Sequence, residues 1–406
     1  MGSSFTQYSV IFMHQNVKHF VVTLPNPTYQ RNYLSSYFDY IVSRMPMLTR
    51  LELQSTRAMH EIENDVLDLI HGLPNLQKIV LPPYYLTSRV TESLSHLPNL
   101  AEIIHRPESG KGHEDDIQSF EPSLAEGAFP SLHHLALVAY FFDMTVFLNS
   151  PFFPSNLTVL YVESLSLEEP SEVHDLSVAV ANNCPLLTKL RLLPSLDPDD
   201  TLEERQMTLD TFRPLLSCPK ITTFEIAHQY QLALQPEDIE EIASKWPSLE
   251  TLKLNNAPVV PVHESQLTLR SLLPFARHCP RLQHLGLFLI ASPMDIPAVN
   301  ELHHFQTLKC LAMGTSPLAE ERPVALFLSR ICPVGCRVTA SVHWWWEQTL
   351  KSFANRDRWE MVNELLPLLT ASRVEERERM RERVRMLEVE LEALRRERGD
   401  DAIPVQ

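Results

Sequence analysis

Along most of this chain the apolar residues recur in one nine-residue pattern, apolar-Pro-x-Leu-x-x-Leu-x-Leu. Residues 45–53 read Met-Pro-Met-Leu-Thr-Arg-Leu-Glu-Leu, residues 73–81 Leu-Pro-Asn-Leu-Gln-Lys-Ile-Val-Leu, and residues 246–254 Trp-Pro-Ser-Leu-Glu-Thr-Leu-Lys-Leu. Taking the first leucine-type residue as anchor, the pattern returns at Val17, Leu48, Leu76, Leu100, Leu132, Leu157, Leu187, Ile221, Leu249, Leu282 and Leu308. Ten steps cover the 291 residues from first to last anchor, about 29 each. A repeat of that length is the signature of a solenoid. Apolar residues at the anchor and at the third and fifth positions after it place the last two on one face of a short strand.

The stretches between carry helical spacing. In residues 57–69, Met59, Ile62, Val66 and Leu69 share one helix face. At residues 236–242, Pro236 in a first helical position is followed by Glu237 and Asp238, which favours a helix start. The proline of each repeat marks where helix gives way to strand. Cys184, Cys218 and Cys279 stand just before that proline, where other repeats use larger apolar residues, and read as small fillers of the corner. A single repeat cannot bury its apolar face, so neighbours must stack. The expected fold is α/β: a solenoid of parallel strands lining an inner curve with helices outside, about eleven irregular repeats over residues 1–340, then a helical tail.

That tail is divided by composition. Residues 341–371 hold the tryptophan run Trp344-Trp345-Trp346, expected to cap the last repeat, and an amphipathic helix over 356–369 with Trp359, Val362, Leu365, Leu366 and Leu369 on or near one face. Pro367 is expected to bend it. Residues 372–399 are rich in Arg, Glu and Leu. Met380, Val384, Leu387, Leu391 and Leu394 step by 4, 3, 4 and 3, a short coiled-coil seam. This segment (residues 373–398) reads either as a solvated helix or as a weak homo-oligomer or partner helix, and residues 400–406 as a disordered tail.

The Cys-Pro-x-Leu-x-x-Leu-x-Leu form of the phrase, at irregular spacing with helical inserts, resembles the leucine-rich-repeat region of fungal F-box proteins, over roughly residues 15–340. The resemblance implies a horseshoe similar to the ribonuclease-inhibitor type, and a substrate receptor in ubiquitin-dependent degradation. Such a receptor docks the SCF adaptor through an F-box opening near a Leu-Pro-x-Glu-Leu phrase. Residues 24–27 (Leu-Pro-Asn-Pro) and 81–84 (Leu-Pro-Pro-Tyr) lack its acidic and aliphatic continuation, so an SCF adaptor is expected only with an F-box upstream.

Charge and composition narrow the partners. Lys plus Arg total 35 against 51 Asp plus Glu, a net −16, which argues against nucleic acid and anionic membranes. The richest apolar stretch, residues 135–148, is too short to span a membrane and contains Asp143. Six cysteines without close paired spacing except Cys332 and Cys336, and no secretory signal, point to an intracellular setting, cytoplasmic or nuclear. Nine glycines leave little for phosphate-cradling loops, and no nucleotide, zinc-protease or hydrolase motif is present. Cys332, Cys336 and His343 offer three ligands where zinc wants four. No enzyme activity, cofactor or metal is expected.

Function is therefore sought on the inner face, among the strand residues opposite the buried anchors. Val80, Ile104, Ala136, Val138, Val159 and Tyr161 are expected to form an apolar stripe across four strands, edged by Lys78, Arg106, His134, Lys189 and Arg191. The acidic inserts at residues 108–116 and 197–200 are expected on one rim, as disordered loops or as a surface for a basic partner. Two readings stand: capture of a protein on the inner face, or an assembly scaffold acting through the tail.

Overall fold

A computed structural model of the protein describes residues 9–24, 32–195, 206–259, 265–340 and 354–397. Its centre is a twelve-stranded sheet in which every strand pairs in parallel with its neighbour in sequence. The strands are β1 (His19–Thr23), β2 (Arg50–Gln54), β3 (Lys78–Leu81), β4 (Glu102–His105), β5 (His134–Val138), β6 (Val159–Glu163), β7 (Lys189–Leu193), β8 (Thr223–Ile226), β9 (Thr251–Leu254), β10 (His284–Leu287), β11 (Cys310–Ala312) and β12 (Arg337–Thr339). The first eleven each open two residues after their anchor. The register keeps equivalent positions in line: Arg50 beside Lys78, Lys78 beside Glu102, Glu102 beside His134.

Between strands run α1 (Asn32–Arg44), α2 (Glu63–His71), α3 (Ser88–Ser95), α4 (Phe141–Leu148), α5 (Pro170–Asn183), α6 (Leu209–Phe212), α7 (Pro236–Lys245), α8 (Leu273–His278) and α9 (Glu321–Ile331). Their apolar faces share one core with the anchors, so Leu48, Leu51 and Leu53 are as fully buried as Val66 and Ile70 of α2. The helix expected to open at Pro236 does so, and Asp238 accepts the Gln235 N–H at 2.8 Å to close its first turn. The repeat proline has a second task. It occupies the second position of a tight turn whose fourth residue is the anchor, as in Leu48 N–H to Met45 O (3.1 Å) and Leu249 N–H to Trp246 O (3.2 Å). Cys184, Cys218 and Cys279 are buried in those corners, and burial pushes the thiols of Cys184 and Cys279 up to about 12. They remain protonated and inert.

Two features depart from the sequence reading. The twelfth rung was not anticipated. Val338 aligns with Leu311, which places Gly335 (φ 85°) where a leucine anchor belongs, while Cys336 fills the buried space beside it. The pattern fails there because a turn glycine replaces its key residue. The two tail helices are one, α10 (Ala354–Glu397), with Pro367 inside it. The run Trp344–Trp346 lies outside the described residues. The first half of α10 packs over the end of the stack through buried Trp359, Val362 and Leu366. Trp359 Nε1 donates to Ser316 O (2.8 Å), Asn363 Oδ1 accepts the Val338 N–H (2.9 Å), and Arg358 pairs with Glu321.

The first acidic insert is structured. Residues 106–117 form two short turns, Pro107–Ser109 and Glu114–Ile117, and fold back over the rim. Asp116 accepts the backbone N–H groups of Met59 (2.6 Å) and His60 (3.1 Å), and Ser55 N–H donates to Ser109 O (2.7 Å). The second insert, 197–200, lies outside the described residues.

Candidate functional site: the open face of the sheet

One face of the sheet is covered by helices; the other carries the alternate strand residues. Three of its carboxylates follow one rule, each lying between two basic groups, at least one of them from another rung. Glu52 of β2 lies 3.8 Å from Arg50 and 3.6 Å from Arg106. Glu102 of β4 pairs with Lys78 and lies 3.9 Å from His134. Glu225 of β8 meets Arg191 at 3.1 Å and Lys253 at 3.5 Å. Glu52 and Glu225 are nearly inaccessible, and a buried carboxylate requires such partners to stay charged. At Glu102 burial works to raise the carboxyl, but the hydrogen bond and charge of Lys78, with His134 beside it, hold it below the usual range. His134 is pushed down by burial, against the pull of Glu102.

The most organised part of the face is around Tyr161. The guanidinium of Arg191 lies 4.7 Å from the Tyr161 ring centre, and the His134 ring meets the same tyrosine edge-on at 5.6 Å. Arg191 Nη2 also donates to Glu225 Oε1 at 3.2 Å. Tyrosine and arginine are thus held in place before any partner arrives, which lowers the entropy lost on binding.

The expected apolar stripe is smaller than its sequence. Ile104, Val159 and Tyr161 are half-exposed, whereas Val80, Ala136 and Val138 are buried and offer a partner little. Val80 lies on β3, which the Arg106–Glu52 ion pair crosses from β4 to β2. Val138 is covered by Tyr84, Ile117 and Leu165, brought over it by the β3 exit loop, the folded-back insert and the loop after β6. Among the basic positions, Arg106 and Lys189 are exposed, and Lys78, His134 and Arg191 half-buried. The eleven residues therefore do share one face, and eight of them remain reachable there.

Beside this patch, at the carboxyl ends of the strands, is a cavity of about 280 Å³ that sequence reasoning missed. Tyr84, Lys111, Glu163, Ser164 and Ser195 supply its polar groups, with Val138, Leu165 and Leu193 behind them. Lys111 Nζ sits 4.9 Å from the Tyr84 ring centre. Tyr84 holds φ at 73°, a left-handed conformation that costs a bulky residue energy and that surrounding packing must enforce. Burial pushes the Glu163 carboxyl up to about 7, against the charge of Arg191. Its Oε1 is 3.4 Å from Nε2 of His105, whose imidazole burial pushes down to about 4. Between those two values both groups are uncharged, so their contact there is dipolar rather than ionic. The signal in the sequence was His105 itself, a polar residue where other rungs place an aliphatic one.

Among the described residues no group of three or more His, Cys, Asp or Glu converges to hold a metal ion, and no helix is long and apolar enough to cross a membrane. Compared with protein-family models and with curated protein sequences, the chain finds no match.

Proposed function

We propose that the protein is a non-enzymatic recognition module, a leucine-rich-repeat horseshoe whose inner curve is the open face and which captures an acidic protein segment around Tyr161 and Arg191. The observation that carries this reading is the charge of the face against that of the chain. Its alternate strand positions and their extensions hold Arg50, Lys78, Arg106, Lys189, Arg191, Lys253 and Arg337 against Glu52, Glu102, Glu163 and Glu225, so 7 − 4 = +3, in a chain of net −16. A positive surface set in a negative molecule steers acidic ligands toward itself. The stacked Tyr161–Arg191 pair supplies the residue types that dominate interface energies. Half-exposed Ile104 and Val159 add an apolar floor. Glu52 and Glu225 are each held between two cations, which gives the face hydrogen-bond direction as well as charge and suits a folded or extended protein better than a run of phosphates.

The test is affinity capture with the whole chain, comparing the native sequence with Arg191→Glu and Tyr161→Ala. As a control, Phe142→Ser alters an exposed residue on α4, away from the face. The reading expects a recovered acidic protein to be lost with the first two changes, kept with the third, and weakened by salt. Retention through both face variants removes the open-face claim. The resemblance to fungal F-box proteins extends the proposal: the captured protein is a degradation substrate, and an SCF adaptor co-purifies once upstream sequence is restored. Recovery of the partner without any adaptor removes that extension alone.

A further inference from the structure

The second half of α10 is the largest part of the described chain with no role in the stack. The same stripe of the helix does two jobs along its length. Trp359, Val362, Leu366 and Thr370 are buried against the body, and Arg377 Nη2 still reaches His304 Nε2 at 3.4 Å. Beyond that point the stripe continues in unbroken 3–4 spacing through Met380, Val384, Leu387, Leu391 and Leu394, now exposed by 62, 48, 51, 49 and 55%. Aliphatic side chains at coiled-coil seam positions, facing water over four turns, need a cover.

We propose that this segment pairs with the same segment of a second copy of the chain, antiparallel, about a two-fold axis between Arg385 and Met386. Charges beside the seam fix the register. In that alignment Met380 packs against the second copy's Leu391 and Val384 against its Leu387. Arg381 then faces Glu388 and Arg383 faces Glu390, each pair occurring twice by symmetry. Sliding either way by one heptad brings Arg381 onto Arg381 or Glu388 onto Glu388, so like charges reject the neighbouring registers.

A parallel in-register pair also matches opposite charges, Arg383 with Glu388 and Glu390 with Arg395, and is excluded by the body. The body sits on the seam side of α10, and seam direction drifts only about 20° per heptad in a straight helix. Two parallel helices would have both bodies wedged between them. In the antiparallel arrangement the overlap runs from residue 377 to residue 394, roughly 25 Å at 1.5 Å per residue. The bodies then lie at opposite ends of it. Leu394 meets the second copy's Arg377, whose aliphatic stem covers it while the guanidinium stays at the edge.

Sedimentation equilibrium of the whole chain tests association. A mass rising from one chain to two at high micromolar concentration is expected, reverting to one in Leu387→Glu, with the thermal transition of the body unchanged because Leu387 touches none of it. Monomer mass at every concentration, or a dimer that survives Leu387→Glu, overturns the proposal. A charge swap tests orientation. Arg381→Glu is expected to weaken the dimer roughly tenfold, and adding Glu388→Arg to the same chain to restore it, since the two residues face each other only in the antiparallel register. A double variant weaker than the single one identifies parallel helices and overturns the arrangement.

Discussion

Replacing His105 by leucine is expected to stabilise the protein, and to do so more strongly in acid. His105 aligns with Leu81, a buried aliphatic position, and its side chain is 9% exposed. Nδ1 is buried without a hydrogen-bond partner, and Nε2 has only the 3.4 Å contact with Glu163. An unsatisfied buried polar atom costs about 1–3 kcal/mol. Leucine removes that cost and loses one weak dipolar contact, so a net gain of about 1–2 kcal/mol is expected at pH 7.5. In acid a second effect enters. Burial holds the folded imidazole at about 4 against an ordinary 6.5, so between those values the unfolded chain binds a proton that the folded chain refuses. Native stability from this group is complete above 6.5 and falls as pH drops toward 4. By pH 5 the loss is about 2 kcal/mol. Glu163, raised to about 7, has the opposite slope, its stability declining as pH rises through 7, but it is present in both proteins and largely cancels in the difference. Urea unfolding followed by the fluorescence of buried Trp246 and Trp359, at pH 7.5 and pH 5, measures both effects. A stability difference that is the same at the two pH values would refute the claim that the imidazole is kept neutral.

Two further changes probe the packing. Trp359→Ala opens the closed end of the stack and leaves Ser316 O without its donor; a loss of about 3–5 kcal/mol is expected, read as a lower unfolding midpoint, with hydrogen exchange accelerated first in β11, β12 and α9. Asp116→Ala removes the acceptor for Met59 and His60 N–H at a cost of about 1–2 kcal/mol. Its expected signature is local, with faster exchange at residues 59–60 and 106–117 and greater exposure of Val138, while β8–β12 stay unchanged.

The legible and illegible parts of the sequence divide on physical grounds. Strand positions were readable because each anchor is an aliphatic with a fixed offset to its strand, buried from Leu48 through Leu308 and partly buried at Val17. The rung at Arg337–Thr339 was hidden because Gly335 and Cys336 meet the same packing need with different residues. Alternation assigned Lys78, Tyr161 and Arg191 to one face but not their exposure. Burial of Val138 depends on groups far from it in the chain, Tyr84 with Ile117 folding over the rim. The Tyr84–Glu163 cavity was illegible for the same reason, since it is assembled from strand ends and loops of five rungs. The tail was half-read: the seam was visible, but its continuity with the docked face of α10 required the body to be placed.

The order of the sheet has a consequence for how the molecule is made. Every strand from β2 onward hydrogen-bonds to the one synthesised just before it, so no pairing waits for a distant part of the chain. Loop closure is short and uniform throughout, and a growing polypeptide can lay down its architecture as it leaves the ribosome. The apolar surface beyond β12 is sealed by α10, which is synthesised after every strand of the sheet. The vulnerable moment in biogenesis is therefore the interval in which the wall is complete and its lid is still being translated.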